Sequence, residues 1–508
     1  MNVSVRVFYN TIALYIKMFI TTILSLYLTR VVLNVLGVED FGIYNLIAGI
    51  IIVLSFLNSA LMSSSQRFLS VAIGEKNEGR VKTYFTSSLI IHICFALLLT
   101  CILELCSLFI FDGILNIPEN RLQIAKSVYQ LMVLSMFITI IGVPYNAVIN
   151  ANEDLWFFAI VEVICAFLKL LVILLFKMIS IDSLLLYTGW IVFVTYVNVI
   201  AKYVWCKYRY SECKKITLRK CLKTPIMDMI GFSGWNALGA FAMVGRNQGV
   251  AIVLNIFFGT AMNAVYGIAN QVNGQLVYFS QMLTTSMAPQ IMKSAGEGNS
   301  SRMLALSVFT SKAAFLLSAI FAIPLIIEMP FILHIWLGKV PNYTSEFCEL
   351  MLYVFLILQL YPGLTRAIQA HGDIKFYQIT ISFILLLPLL VGALLFKYHF
   401  VSYSICYAMI GAQLATLIIS VYFSKKLIHL SVRSFLKYVA KAILLYFGVL
   451  FLGQYVHQWL SDSIQQPYVF FITSVITALI FLCVYISWIF NTYERSLIYN
   501  MIKSLFHK

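Results

Sequence analysis

Apolar windows of about 20 residues, separated by short polar intervals, recur from one end of this 508-residue chain to the other. Each is long enough to cross roughly 30 Å of hydrocarbon as a helix. About fourteen such spans are predicted, over 10–36, 42–63, 84–111, 127–150, 155–177, 183–205, 226–257, 261–289, 306–336, 347–370, 376–397, 402–424, 437–457 and 468–490. Ile47 to Leu57 and Leu168 to Phe176 are apolar almost throughout, which does not fit the strict alternation and roughly ten-residue length of a barrel strand. The first segment, Asn10 to Leu36, is longer than the apolar core of a cleavable signal peptide and has no small-residue cleavage site, so it reads as the first span. The pattern predicts an all-α polytopic membrane protein.

A faint copy of the pattern follows about 220 residues downstream. Gly37, Tyr44, Gly74, Asn77 and Arg80 recur in order and spacing as Gly259, Tyr266, Gly296, Asn299 and Arg302. A second echo pairs Pro144, Ala151, Asp154 and Phe157 with Pro362, Ala370, Asp373 and Phe376. Two related halves in a bilayer point to a transporter with a cavity between them.

Composition agrees, with 61% hydrophobic and 11% charged residues and a mean hydropathy of +0.91. The charges sort by loop. One set of loops carries Lys76, Arg80 and Lys82, then a basic interval from Lys207 to Lys223, then Lys293, Arg302, Lys375, Lys425, Lys426, Arg433, Lys437 and Lys441. The alternate set holds little beyond Arg121, Lys126, Lys177, Lys339 and Lys397. Basic loops stay in the cytoplasm, so both termini are expected there, with Arg495, Lys503 and Lys508 at the C-terminal end. The two copies then share one orientation, as a parallel repeat related about the membrane normal. The expected organisation is a six-helix lobe over 1–206, a basic cytoplasmic loop over 207–225, a second six-helix lobe over 226–424, and two extra helices with a basic tail over 425–508. The net charge of +15 is mostly this topology signal. A basic loop beside an anionic leaflet needs no nucleic acid.

Ten cysteines form no CxxC pair and lie mostly in or beside apolar spans, where they read as small core residues and not as disulfides or zinc ligands. No HExxH, GxGxxG or GxxxxGK[ST] motif is present, so no metal, cofactor or ATP hydrolysis is expected and the chain does not read as an enzyme.

Function should therefore sit with ionisable groups inside spans, each costing about 3 kcal/mol or more unless it faces a cavity or a partner. The basic ones are Lys17, Arg67, Lys169, Arg246, Lys312 and Arg366. Around Arg246 the run Gly245-Arg246-Asn247-Gln248-Gly249 is polar enough to interrupt its span. Asn263, Asn270, Asn273, Gln275 and Gln281 follow in the next span with Tyr266 and Tyr278, a set of amides and rings suited to a sugar surface. The predicted substrate-binding set is Lys17, Arg67, Lys169, Arg246, Asn247, Gln248, Asn270, Asn273 and Arg366. Of the acids in spans, Glu104, Glu162 and Glu328, the first two are candidates for ion coupling, although Glu162 could equally form a structural pair. The charges do not follow the repeat, since Lys17 aligns with Gly239 and Arg246 with Leu24.

The opening pattern Arg30-Val-Val-Leu-Asn34-Val-Leu-Gly37, followed by Glu39-Asp40-Phe41-Gly42-Ile-Tyr44-Asn45, resembles the Leu-Gly-x-x-x-Phe-Gly-x-Tyr entry of bacterial polysaccharide flippases. The stretch around Pro144 and Asn150-Ala151 is similar to their fourth span and its exit loop. These are the Wzx-like branch of the multidrug, oligosaccharidyl-lipid and polysaccharide exporter (MOP) superfamily. The resemblance implies two six-helix lobes about a central cavity that opens alternately to each side of the bacterial inner membrane. It implies as cargo an undecaprenyl-diphosphate-linked oligosaccharide of the O-antigen, capsule or exopolysaccharide kind, moved from the cytoplasmic to the periplasmic leaflet. Membrane lipid and the polysaccharide polymerase machinery are the other partners implied. Two alternatives stand beside it. A drug or cation exporter of the same fold is expected to carry an acid in its first span, where this chain has Lys17. A polymerase or ligase needs a long periplasmic loop, and the longest here runs only from about Phe111 to Lys126.

Overall fold

In the computed structural model the described residues are 3–53, 55–109, 111, 119–172, 176, 182–214, 223–462, 464–492 and 494–496, and among them there is no strand. The helices are α1 (Val3–Val53), α2 (Ser55–Gly74), α3 (Glu78–Phe109), α4 (Glu119–Ala151), α5 (Leu155–Leu170), α6 (Ser183–Arg209), α7 (Lys223–Gly296), α8 (Ser300–Ile327), α9 (Met329–Leu337), α10 (Thr344–Gln359), α11 (Pro362–His371), α12 (Lys375–Lys397), α13 (Ser404–Ile428), α14 (Val432–Ser461) and α15 (Gln466–Trp488). Lys177, Lys215, Arg219, Lys220, Cys221, Lys503 and Lys508 lie outside the described residues.

Nine of the described helices are long and apolar enough to cross a membrane, or ten if α10 and α11, bent by 44° at their junction, form one broken span. They coincide with ten of the expected spans. The other four, 10–36, 42–63, 155–177 and 261–289, fall on α1 with α2, on α5 and on the second part of α7. This is the all-helical, polytopic architecture expected from the apolar windows.

The sequence repeat reappears as a repeat of backbone conformation. Both α1 and α7 break at the paired glycines, Gly37 at φ 75°, ψ 174° and Gly259 at φ 78°, ψ −171°, a region that only glycine enters freely. Lys76 and Gly298, one residue before the paired asparagines, both have positive φ. Asn77 Oδ1 then accepts from the Arg80 amide at 3.1 Å and Asn299 Oδ1 from the Arg302 amide at 3.0 Å, each capping the next helix. The ion pairs match too, Arg80 with Glu75 at 2.6 Å and Arg302 with Glu297 at 2.9 Å. The second echo is looser. Glu153 and Gly372 share positive φ, but Pro144 lies inside the continuous α4, whereas Pro362 opens α11 after the break at Tyr361. Asp154 is buried and accepts from the Tyr210 hydroxyl at 2.5 Å; burial first, and this carboxylate second, push the Tyr210 phenol up, whereas Asp373 is exposed.

An alanine Cβ at Gly37 or Gly259 would meet nothing within 4 Å, so substitution there tests backbone strain alone. Gly37→Ala and Gly259→Ala are each expected to lower stability by about 1–3 kcal/mol. The losses should add in the double variant, because the two positions sit in different compact units. Thermal unfolding in detergent measures this, and unchanged melting would show that the bends are not fixed by φ.

The chain divides into a unit of Tyr9–Ala237 and a unit of Met1–Phe8 with Leu238–Lys508. In the first, α4 packs on α2, α3 and α6, and α5 packs on α6. The first turns of α7 belong to it: Ser64 Oγ donates to Met229 O at 3.0 Å, and the Phe68 and Phe232 rings meet edge-on at 5.9 Å. At the opposite end Arg121 reaches both Asp40, just past the α1 break, and Asp182 at 2.7 Å, while Asp182 caps α6 through the amides of Leu184 and Leu185. In the second unit α8 is central, with α10, α11, α14 and α15 around it. The two last helices are tied to it by the Tyr438 hydroxyl on Ser311 O (3.2 Å), the Tyr485 hydroxyl on Lys312 O (2.9 Å) and the buried pair of Lys312 with Glu494 (2.8 Å).

Candidate functional site

The second unit contains a cavity of about 450 Å³ walled by α7, α10 and α13. Two stripes of α7 supply most of its polar surface. Before the Gly259 break come Met243, Arg246, Asn247, Gln248 and Ala251; after it come Asn263, Tyr266, Gly267, Asn270, Asn273, Gly274 and Val277, spaced three and four apart so that they share one helix face. Val354, Phe355 and Leu358 of α10 form an apolar wall, and Gln413 of α13 closes the polar side. At Gly267 and Gly274 a Cβ would meet nothing within 4 Å, which leaves room in the cavity.

The run around Arg246 does not interrupt its helix as the sequence led us to expect; α7 is continuous from Lys223 to the Gly259 break. The glycines have another role. A Cβ at Gly249 would come within 2.7 Å of Leu389, and one at Gly245 within 3.6 Å of Leu386, so the four-residue spacing lets α12 approach closely. Arg246, between them in sequence, enters the cavity lining and is 7% exposed. Its Nη2 and Nε lie 3.3 and 3.4 Å from Asn247 Oδ1, long contacts for a guanidinium. No carboxylate is among the lining residues described. A buried arginine is ordinarily paired with one, so this cavity has the fork donors and net positive charge suited to an anion such as a phosphate. The amides around it can both donate to and accept from hydroxyl groups.

The cavity brings together Arg246, Asn247, Gln248, Asn270 and Asn273 of the expected set. Gln413 is an addition to the lining, and Tyr361 lies behind it in the core. The Gln413 amide donates to the Tyr361 hydroxyl at 2.5 Å, and Gln413 is a single amide in an apolar run, with too little local signal to single it out. Gln275 and Gln281 are exposed and do not line the cavity. Arg366 lies on α11 outside the lining, donating to Gln369 Oε1 at 3.1 Å.

The remaining expected residues lie in the first unit, apart from this cavity's lining. Lys17 of α1 and Lys202 of α6 face the same ring, Phe158 of α5, at 5.4 and 4.4 Å. Glu162 accepts from Lys202 at 2.7 Å and from Asn198 at 3.1 Å; its close partner is thus Lys202, while Lys169 is half-buried about two turns further along the same face of α5. Glu104 accepts from Gln130 at 2.9 Å. The guanidinium carbon of Arg67 lies 4.6 and 4.9 Å from the ring centres of Phe68 and Phe232.

Residues 13–175 match the MatE family model. Comparison with curated protein sequences finds no match. Among solved structures the chain is similar to an outward-facing multidrug resistance MATE family transporter of the MOP superfamily, at 13% identity and a TM-score of 0.71 over 84% of this chain and 98% of that one. It is similar to a MATE in the straight conformation, at 13% identity and a TM-score of 0.68 over 86% and 98%. A MOP superfamily transporter from Pyrococcus furiosus Vc1, for which reversed polarity of the binding pocket is said to suggest a different function, matches at 13% identity and a TM-score of 0.67 over 84% and 98%. At such identities the likeness is one of fold, and the fold is that of the MATE transporters of the MOP superfamily.

Proposed function

We propose that the protein flips undecaprenyl-diphosphate-linked oligosaccharide units from the cytoplasmic to the periplasmic leaflet by alternating access. The observation that carries this is the Arg246 cavity, with a buried guanidinium, several neutral amides and no carboxylate in its described lining. An anionic diphosphate gains charge-assisted hydrogen bonds there, and its sugar hydroxyls find the amides. Asn247, Gln248, Asn270 and Asn273 take the sugar in this scheme. The apolar wall of Val354, Phe355 and Leu358 is suited to the apolar faces of sugar rings.

A second reading, export of drugs or other organic cations, draws support from the MatE match and the likeness to a multidrug transporter. A cation entering this cavity would face Arg246 with no described acid in the lining to offset it. The two readings separate in a deletion strain. Flipping predicts that lipid-linked repeat units accumulate on the cytoplasmic face with drug susceptibility unchanged. Normal leaflet distribution together with heightened sensitivity to cationic drugs would instead establish export.

A further inference from the structure

Glu328 sits at the joint between α8 and α9, within the unit of Met1–Phe8 with Leu238–Lys508, and its side chain is fully buried. Oε1 lies 2.6 Å from Nδ1 of His457 on α14, and His457 is its ion-pair partner among the described residues. The other oxygen, Oε2, has no hydrogen-bond partner among them. A carboxylate shut away from water with one oxygen unserved is strongly disfavoured unless something else completes it.

Two contacts bracket the space opposite. A Cβ at Gly453 of α14 would come within 2.5 Å of Ile327 and 2.7 Å of Thr477 of α15, so α8, α14 and α15 meet one residue before Glu328. Three residues beyond it, the Phe331 ring stands 5.9 Å from that of Phe470 on α15. His457 is one turn on from Gly453, and Thr473 and Ser474 fall between Thr477 and Phe470 on one face of α15. The two hydroxyls therefore lie at the level of the carboxylate. Thr473 is fully buried, and neither Thr473 Oγ1 nor Ser474 Oγ has a hydrogen-bond partner among the described residues. Pro330 frees a further oxygen, since it has no N–H to give to the Ile326 carbonyl four residues back.

The geometry points to a binding site for a dehydrated alkali cation, held by Glu328 Oε2 with the Thr473 and Ser474 hydroxyls and the Ile326 carbonyl. A set of oxygens suits a hard cation, and a single carboxylate balances a single charge, whereas a divalent ion is usually met by more than one acid. Lys312, the lysine of α8, is taken by Glu494 at 2.8 Å and does not serve this carboxylate. His457, donating through Nδ1, holds Oε1 and leaves the second oxygen for the ion. An ion here pins α14 and α15 to the joint between α8 and α9. The site shares no residue with the Arg246 cavity and does not depend on which cargo that cavity takes.

The test is thermal unfolding of the full-length protein in detergent, prepared in choline chloride and titrated with sodium chloride or potassium chloride at constant ionic strength. The melting temperature should rise saturably with at least one of the two ions. Glu328→Gln should raise the half-saturating concentration about 100-fold, and Thr473→Val about tenfold, for the loss of a charged and of a neutral ligand. Each variant is compared with itself across the salts, so a change in its baseline stability does not enter. A wild type that melts alike in all three salts would overturn the inference, and is the result expected if an imidazolium at His457 already balances the carboxylate. An ion response that survives Glu328→Gln, or Thr473→Val should the first variant not fold, would place the ion elsewhere and overturn it equally.

Discussion

Replacing Arg246 by alanine is expected to lower transport of the lipid-linked sugar by about 100-fold, the worth of a charge-assisted hydrogen-bonded contact of roughly 3 kcal/mol. The same change should leave the protein at least as stable as the wild type. A guanidinium that is 7% exposed and, among the described residues, hydrogen-bonds only through long contacts to Asn247 is a burden on the fold unless a ligand completes it. Arg246→Lys keeps the charge but not the planar fork, and an intermediate loss of about tenfold is expected. Thermal unfolding beside transport separates a binding role from a structural one. A destabilised Arg246→Ala variant would mean that the arginine holds α7 in place and that its charge has no cargo.

The opposite outcome is expected for Lys202. Its side chain is 3% exposed and pairs with Glu162 at 2.7 Å inside the first unit. Lys202→Met removes that close partner of Glu162 and should cost about 3 kcal/mol of stability, the low end for breaking a buried pair because Glu162 is itself 29% exposed. Adding Glu162→Gln in the same chain should recover most of the loss, since the amide no longer needs the ammonium. Transport by the double variant then decides what Glu162 does. If the pair is structural, the double variant transports normally; if Glu162 couples an ion, the variant folds but loses its response to an imposed gradient.

What was legible in the sequence follows from how each feature is encoded. Span positions are written in runs of some twenty residues, so the helices of the structure fall where the apolar windows are. The repeat was visible because glycine and asparagine at Gly37, Gly259, Asn77 and Asn299 are demanded by backbone geometry, and those demands survive when apolar side chains have changed. The stripe from Asn263 to Asn273 was visible for a similar reason: amides at helical spacing stand out against an apolar background. Pairing across helices was not legible. Lys202 and Glu162 stand 40 residues apart in separate spans, and nothing in linear spacing says that α6 lies beside α5. The glycines beside Arg246 were misread for a related cause. A glycine pair in a span is consistent with a break or with close packing, and only the position of Leu389 against Gly249 decides for packing.

The central claim is that the Arg246 cavity takes an anionic, lipid-linked sugar. It is tested most directly by the flux of a fluorescent lipid-diphosphate oligosaccharide across proteoliposomes, with a lipophilic organic cation added as competitor and Arg246→Ala as the matched control. Wild-type flux should be saturable, indifferent to the cation, and reduced by about 100-fold in the variant. Equal flux in wild type and variant, or inhibition by the cation at concentrations that leave the vesicles intact, would contradict it.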